Sequence, residues 1–260
     1  MTMRVLVTGA SRGIGKAICL RLARQGVQLA ACGSAHADEL EAVITAAAQH
    51  GGRVVPLLGN LADPTTPASL VEQALSALGG LDAVVSNAGV SRPATLAKLA
   101  IEDWDHLFAV NTRAPWLLAK AAYPALRESR GSFVSVASMS GVQPYPGMGA
   151  YSPTKAALLM LVRTLAQEWA DDGIRVNAVS PGLIHTSLTA KVYADAPTKA
   201  AREALVPLHR IGDPDADIAG IVSFLIAPEA GYITGQNILA DGGLMDIAHG
   251  LIPGRPATQR

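Results

Sequence analysis

Short apolar runs and longer amphipathic stretches alternate along most of the chain. Several of the short runs are continuously apolar rather than alternating, as strands buried on both faces of a parallel sheet are. They predict strands over 4–8, 27–32, 53–58, 82–86, 132–138, 174–180 and 237–240.

Between these runs, apolar residues recur with helical spacing. They predict helices over 14–25, 38–50, 66–78, 102–128 and 153–171. Strands that alternate with helices are typical of βαβ units on a parallel sheet. We therefore expect one α/β domain with no linker or repeat.

The alternation stops after "SPG" at 180–182. The next residues, about 183–210, contain helical pieces and no strand pattern. An insertion at the carboxyl end of a strand can serve as a substrate lid, which is the function we expect here. The alternative is a surface excursion with no role.

Composition narrows the class of protein. The chain has 260 residues, half of them hydrophobic, and equal numbers of basic and acidic residues, 21 each. A large core is possible, whereas no net field attracts nucleic acid or an anionic membrane. Cys19 and Cys32 lie in apolar stretches and predict buried thiols rather than disulfides or a metal site. With no secretion signal or membrane helix in the pattern, we expect a cytoplasmic protein.

The first predicted strand runs directly into "TGASRGIG" at 8–15 and then into a helix. Glycine at 9, 13 and 15 lets the backbone turn tightly and approach a phosphate, and the helix amino terminus offers free N–H groups. The order strand, glycine-rich turn, helix predicts a dinucleotide site. A tight turn alone would also need glycine without any ligand.

The end of the second strand indicates which dinucleotide binds. NAD sites usually carry an acidic residue there for the ribose 2′-hydroxyl, and residues 30–36 contain none. Arg12 could bind a 2′-phosphate, with Ser34 and His36 assisting. We therefore expect NADP(H) to be preferred over NAD(H); the alternative is that Arg12 is an ordinary exposed cation.

Tyr151 and Lys155 are four residues apart at the start of a helix that accommodates Pro153 in its first turn. They would share one face of that helix. A nearby ammonium and the positive helix end favour phenolate, so we expect a lowered pKa for Tyr151 and a role as general acid or base. The alternative is an exposed pair without function.

Two further polar residues belong to this candidate site. Ser138 ends a predicted strand, where its hydroxyl could hold a carbonyl oxygen. Asn111 interrupts an apolar helical stretch and needs buried partners. A proton-relay role for Asn111 and a purely helix-distorting role are equally open from the sequence.

These motifs together resemble the short-chain dehydrogenase/reductase superfamily over nearly the whole chain. "TGASRGIG", "GNLAD" (59–63), "SNAG" (86–89), "YSPTK" (151–155) and "SPG" with Ile184 and Thr186 match its motifs in order and spacing, with Ser86 in place of an asparagine. The resemblance implies a doubly wound, seven-stranded Rossmann-type sheet in three layers, and a homotetramer formed through the helices of 102–128 and 153–171.

The resemblance also implies a catalytic tetrad. Tyr151 would be the acid or base, Ser138 would position the substrate oxygen, Lys155 would bind the nicotinamide ribose, and Asn111 would hold a relay water. The expected cofactor contacts are Gly9, Ser11, Arg12, Gly13, Ile14, Gly15, Ser34, Leu61, Asp63, Asn87, Ala88, Gly89, Tyr151, Lys155, Pro181, Gly182, Ile184 and Thr186. The expected substrate contacts are Ser138, Gln143, Tyr145, Tyr151 and Leu188, beside Pro144, Met148, Val192 and Tyr193.

The expected activity is reversible hydride transfer between NADP(H) and a small ketone or secondary alcohol, as in a carbonyl reductase. The pattern is similar to 3-oxoacyl-acyl carrier protein reductases, but Asp171 and Asp172 would repel an acidic carrier, while Arg127 and Arg130 would partly attract it. A non-catalytic NADP(H) sensor is the alternative from another class. Residues 251–260 could form a tail or reach a neighbouring subunit.

Overall fold

The computed structural model describes residues 2–34, 37–51 and 53–247. Seven strands form one sheet in which every neighbouring pair is parallel, in the order β3-β2-β1-β4-β5-β6-β7. They are β1 (Arg4–Thr8), β2 (Gln28–Gly33), β3 (Val54–Leu58), β4 (Ala83–Ser86), β5 (Ser132–Val136), β6 (Arg175–Pro181) and β7 (Asn237–Ala240).

Nine α-helices lie within the described residues. They are α1 (Gly13–Arg24), α2 (Ala37–Ala48), α3 (Thr66–Leu78), α4 (Ile101–Phe108), α5 (Ala114–Ser129), α6 (Tyr151–Glu168), α7 (Ala190–Ala194), α8 (Ala196–Leu205) and α9 (Gly220–Ile226).

Two hydrophobic cores cover the two faces of the sheet. One is built with α1, α2 and α9, and the other with α3, α5 and α6. Successive residues of a strand face opposite cores, so Val85 packs on the first side and Val84 on the second. This explains why the central strands are apolar at consecutive positions, and it confirms the predicted Rossmann-type α/β fold in three layers.

The strand order reverses between β1 and β4. After β1 the chain continues to the face of the sheet that α1 covers, and after β4 it continues to the opposite face, which α5 covers. Such a switch point opens a crevice at the carboxyl ends of the two strands, where nucleotides bind in folds of this type. The glycine turn after Thr8 and the segment after Ser86 border that crevice.

The helical pattern over 102–128 is one continuous helical stretch with a defect. Residues Ala109–Arg113 form a π-helical turn between α4 and α5, and Asn111 lies inside that turn. A second π-helical turn, Pro214–Ala219, leads into α9, and the sequence analysis predicted no helix over these two segments.

The predicted insertion contains α7 and α8 and no strand, as expected. Cys19 and Cys32 are buried free thiols, and burial raises the pKa of each to about 12. Among the helices of the described residues, none has the length and apolar character needed to cross a bilayer.

Candidate active site

The turn between β1 and α1 is shaped by close backbone contacts. Gly9 has a φ of 64°, and a Cβ added there would lie 2.9 Å from the Ala88 Cα. A Cβ at Gly15 would overlap the Gly9 carbonyl oxygen. Both positions therefore exclude a side chain, and the backbone itself forms the wall of the crevice.

Asn87 holds this turn against the end of β4. Its Nδ2 group donates hydrogen bonds to the carbonyl oxygens of Thr8 (2.9 Å) and Gly9 (3.1 Å). The Thr8 hydroxyl in return accepts hydrogen bonds from the Asn87 and Ala88 N–H groups, each at 3.1 Å. The side-chain amide of Asn87 thus serves the nucleotide turn itself, and the Thr8 hydroxyl is a functional group that the sequence analysis missed.

The turn fits a pyrophosphate. No side chain caps the amino terminus of α1, and its first turn carries no acidic residue, so its free N–H groups and positive dipole end are available to an anion. The Thr186 side chain lies next to the turn at Gly13, because a Cβ added at Gly13 would be only 3.5 Å from the Thr186 Cβ. The segment after β6 therefore reaches the predicted phosphate site.

The predicted specificity residues lie at the surface beside this turn. Arg12 and Ser34 are both exposed, Arg12 directly before α1 and Ser34 directly after β2. Exposed positions at these two ends leave room for a 2′-phosphate and its hydrogen bonds. His36 and residues 251–260 lie outside the described residues.

In the expected adenine segment, Leu61 is buried and Asp63 is exposed. One Asp63 carboxylate oxygen accepts hydrogen bonds from the Thr65 N–H and hydroxyl, both at 2.8 Å, which lowers the pKa of Asp63. Asp63 thus orders the turn that leads into α3. Arg113, from the π-helical turn, donates a hydrogen bond to the neighbouring Ala62 carbonyl oxygen.

Tyr151 and Lys155 lie on the first two turns of α6, as predicted. The Lys155 Nζ is buried, 5.7 Å from the centre of the Tyr151 ring, and donates a hydrogen bond of 3.0 Å to the Val136 carbonyl oxygen. The lysine therefore connects α6 to the end of β5. The backbone of Lys155 also packs tightly on Gly141, where an added Cβ would lie 2.8 Å from the Lys155 carbonyl oxygen.

The expected fall in the Tyr151 pKa is wrong. Burial raises the pKa of Tyr151, and a hydrogen bond with Ser138 lowers it only in part. Burial also lowers the pKa of Lys155 to about 8. Removing the two groups from water disfavours both charged forms, and this effect outweighs the attraction between ammonium and phenolate.

Ser138 follows β5 and is held in place by its own turn. Its Oγ accepts a hydrogen bond of 3.1 Å from the Ser140 N–H, and it lies close enough to the Tyr151 hydroxyl to lower the pKa of that group. The hydroxyl groups of Ser138 and Tyr151 therefore lie close together at the carboxyl edge of the sheet.

Asn111 is fully buried, and its side chain makes three hydrogen bonds. Its Oδ1 accepts from the Val90 N–H (2.9 Å), and its Nδ2 donates to the Val90 carbonyl oxygen (2.9 Å) and to the Thr154 hydroxyl (3.1 Å). A Cβ at Gly89 would lie 3.4 Å from both the Asn111 Oδ1 and the Lys155 Nζ. Gly89 is therefore where the loop after β4, the π-helical turn and α6 meet.

The expected substrate-contacting residues are less well defined. Gln143 and Tyr145 are exposed in the loop between Ser138 and Tyr151, and Leu188 is 73% exposed in the segment before α7. Tyr193 is instead buried, and its ring stacks on His185 with centroids 5.6 Å apart. The structure brings the four predicted tetrad residues together, whereas Gln143, Tyr145 and Leu188 lie at the surface.

The segment after β6, where cofactor contacts are expected, is ordered by Thr189. Pro181 ends β6, and Gly182 packs against Asp241, whose Cα lies 2.5 Å from a Cβ added at the glycine. The Thr189 hydroxyl accepts from the Thr186 N–H (2.9 Å) and donates to the Ile184 carbonyl oxygen (2.8 Å). The remaining expected contacts, Ser11 and Ile14, lie in the glycine turn and the first turn of α1 and are partly exposed.

The argument from Asp171 and Asp172 against a carrier protein does not hold within one subunit. Both residues lie between α6 and β6, at the amino edge of the sheet, whereas Tyr151 begins α6 at the carboxyl edge. The 18 residues of α6 separate these two places by about 27 Å. Asp172 is also paired with Arg127 (2.9 Å) and bound by the Tyr123 hydroxyl (2.6 Å), whereas Asp171 is exposed.

Comparison with known proteins agrees with this geometry. A family model described as "Enoyl-(Acyl carrier protein) reductase" matches residues 9–245. The 3-oxoacyl-[acyl-carrier-protein] reductase FabG of Thermotoga maritima is 37% identical over 243 residues, covering 92% of this chain and 96% of that enzyme. A short-chain dehydrogenase of Burkholderia cenocepacia J2315, solved in complex with NADP, superimposes with a TM-score of 0.87 at 35% identity, covering 94% and 98% of the two chains. The acetoin dehydrogenase YohF of Salmonella typhimurium gives a TM-score of 0.87 at 29% identity, covering 96% and 100%.

The fold and the site together define an oxidoreductase that acts on CH–OH groups. The chain belongs to the short-chain dehydrogenase/reductase superfamily, and its relatives include 3-oxoacyl-[acyl-carrier-protein] reductases. Both expectations from the sequence are confirmed.

Proposed function

We propose that the protein is an NADP(H)-dependent reductase of small ketones, which also runs in reverse on the corresponding secondary alcohols. The observation that carries this proposal is the meeting of the Tyr151 and Ser138 hydroxyl groups beside Lys155, at the same sheet edge as the glycine turn. The bound nicotinamide would supply or accept the hydride.

The side chains of this chain would manage the proton and the oxygen. The raised pKa of Tyr151 keeps the phenol protonated at neutral pH, so it can donate a proton to a ketone oxygen. Ser138 would donate a second hydrogen bond to that oxygen, because its turn already fixes its position. Asn111 would hold the loop at Gly89 in place. It would also hold the relay water that the family resemblance implies.

Arg12 and Ser34 support NADP(H) over NAD(H). Both are exposed beside the turn, and the described end of β2 carries no carboxylate that would bind a ribose 2′-hydroxyl. The NADP found with the Burkholderia relative is consistent with this choice. A bidentate guanidinium would bind the 2′-phosphate that distinguishes the two nucleotides.

Loss of absorbance at 340 nm, measured with NADPH and a panel of activated ketones, tests the activity. Turnover of at least one ketone is expected, and nucleotide binding without turnover across the panel would favour a sensor.

A comparison of NADPH and NADH affinity tests the cofactor preference. Arg12→Ala should weaken NADPH binding about tenfold and leave NADH binding unchanged, whereas a preference for NADH in the wild type would refute the assignment.

Reduction of a 3-oxoacyl group on an acyl carrier protein is a second candidate. The names of the curated relatives favour it, and within one subunit Asp171 and Asp172 lie at the opposite edge of the sheet from Tyr151. The deciding measurement compares kcat/KM for one 3-oxoacyl thioester carried by the protein and by a pantetheine fragment. A preference above about tenfold for the carrier, lost at high salt, would establish it; equal values would favour small ketones.

We also propose the homotetramer that the resemblance implies. Trp116 of α5 is 44% exposed and Met160 of α6 is 58% exposed, which supports contact between copies through these helices. Light scattering coupled to gel filtration tests the assembly, and Met160→Lys should shift the mass to a smaller species.

A further inference from the structure

Thr154 lies inside the "YSPTK" motif, one residue before Lys155. It is fully buried, and its hydroxyl donates a hydrogen bond of 2.7 Å to the Tyr151 carbonyl oxygen. The same hydroxyl accepts a hydrogen bond of 3.1 Å from the Asn111 Nδ2. One buried oxygen thus connects the residue that carries the phenol to the amide of the π-helical turn.

A second hydrogen bond joins the same two elements. The Thr112 hydroxyl donates to the Thr154 carbonyl oxygen at 3.0 Å. Thr154 is therefore attached to the π-helical turn through both its side chain and its backbone. These contacts fix the first turn of α6 against the turn Ala109–Arg113.

The connection continues to the loop after β4. The Asn111 Nδ2 has two N–H groups, which the Val90 carbonyl oxygen and the Thr154 hydroxyl occupy. If Thr154 lost its oxygen, one buried N–H would have no acceptor, and the amide would gain by turning away from Val90. The loop that holds Gly89 beside Lys155 would then lose its clamp.

We propose that Thr154 is a positioning residue, whose hydroxyl sets the first turn of α6, and with it the Tyr151 phenol, against Asn111 and the loop of Gly89. This inference rests on the proposed role of Tyr151 as proton donor. It assigns to the threonine no contact with substrate or cofactor. Small errors in the placement of a reacting group cost large factors in rate, so the effect should appear in kcat.

Thr154→Val keeps the shape of the side chain and removes the hydroxyl, Thr154→Ser keeps the hydroxyl, and Thr112→Val removes the other hydrogen bond between the same elements. Thr154→Val should lower kcat about 10- to 100-fold and shift the pH midpoint of kcat, while the ketone KM stays within about threefold and the NADPH Kd rises by a smaller factor than kcat falls, because the loop of Gly89 also loosens. Thr154→Ser should recover kcat to within about threefold of wild type. Thr112→Val should lower the melting temperature without moving the pH midpoint.

A wild-type kcat and pH midpoint in Thr154→Val, measured where circular dichroism shows it fully folded, would overturn the proposal. So would a serine variant as impaired as the valine variant.

A measurement without substrate distinguishes a failure of this proposal from a failure of the proposed function. Ultraviolet titration of the Tyr151 phenol, taken as the difference from Tyr151→Phe in each background, should give a lower midpoint in Thr154→Val because the loosened turn admits water. An unchanged midpoint would refute the role of Thr154, whereas absence of ketone turnover in the wild type would refute only the proposed function.

Discussion

The Lys155 ammonium lies 5.7 Å from the centre of the Tyr151 ring, and its hydrogen bond goes to the Val136 carbonyl oxygen rather than to the phenol. Because both groups are largely removed from water, each is pushed towards its neutral form, and the phenol stays protonated. This arrangement suits proton donation to a ketone oxygen.

Tyr151→Phe should remove the proton donor and leave the nucleotide site intact. We expect kcat for ketone reduction to fall about 10²- to 10⁴-fold. The NADPH Kd should change less than about twofold, because the ring and α6 remain. Steady-state kinetics and nucleotide fluorescence check the two parts, and near-normal turnover would show that another group donates the proton.

Lys155→Met should stabilise the nucleotide-free protein at pH 7. Lys155 has a pKa of about 8 in the folded chain and about 10.4 when unfolded. Below pH 8 the lysine is charged in both states and the full cost of burying the charge is present. Above about pH 10.4 it is neutral in both states, so the stability of the wild type rises with pH between these limits.

Urea unfolding measures this effect. At pH 7 the methionine variant should be about 1–3 kcal/mol more stable, less what is lost with the hydrogen bond to Val136. The difference should shrink as the pH rises towards 10. The exposed Lys191→Met serves as the control and should show no such trend. A difference that is the same at pH 7 and pH 10 would contradict the assigned burial cost.

Gly15→Ala should abolish nucleotide binding, since the added Cβ would overlap the Gly9 carbonyl oxygen and distort the phosphate turn. We expect the NADPH Kd to rise at least about 100-fold, which corresponds to roughly 2.7 kcal/mol. Gly26→Ala is the matched control: its φ of 76° brings backbone strain, but a Cβ there meets nothing within 4 Å. The control should lose about 1 kcal/mol of stability and bind NADPH normally. Equal nucleotide affinity in the two variants would contradict the close approach at Gly15.

Arg175→Met should destabilise the fold away from the active site. The guanidinium donates to the carbonyl oxygens of Leu225 (2.6 Å) and Ala230 (3.2 Å), and to those of Ile226 (3.2 Å) and Ala227 (3.1 Å). It thus caps the carboxyl end of α9. Its loss should lower the free energy of unfolding by about 2–4 kcal/mol.

The control for this change is Arg127→Met, which breaks an ion pair in which the arginine side chain is 63% exposed. That variant should cost less than about 1 kcal/mol. Chemical denaturation compares the two proteins. Equal losses of stability in the two variants would show that the four hydrogen bonds from Arg175 to backbone carbonyl oxygens stabilise the fold no more than the exposed ion pair of Arg127 does.

Local pattern was sufficient to predict one α/β domain with a parallel sheet, because strands buried on both faces must be continuously apolar, whereas the doubly wound, seven-stranded form was implied by the family resemblance. The predicted strand over 82–86 is Ala83–Ser86 in the structure, and the predicted helix over 66–78 is Thr66–Leu78. The turn from β1 into α1 was also predictable, since only glycine tolerates backbone contacts such as that between Gly9 and Ala88. Spacing alone likewise placed Tyr151 and Lys155 on neighbouring turns of one helix.

Only the tertiary structure decided how these groups behave. Whether the Tyr151 pKa rises or falls depends on the balance between burial and nearby charge, and burial is set by residues distant in sequence. The distance of Asp172 from Tyr151 and its pairing with Arg127 likewise depend on how α6 crosses the sheet. The buried hydroxyl of Thr154 is part of the site because Asn111, 43 residues earlier, meets it across two packed helices, and no local pattern encodes such a contact.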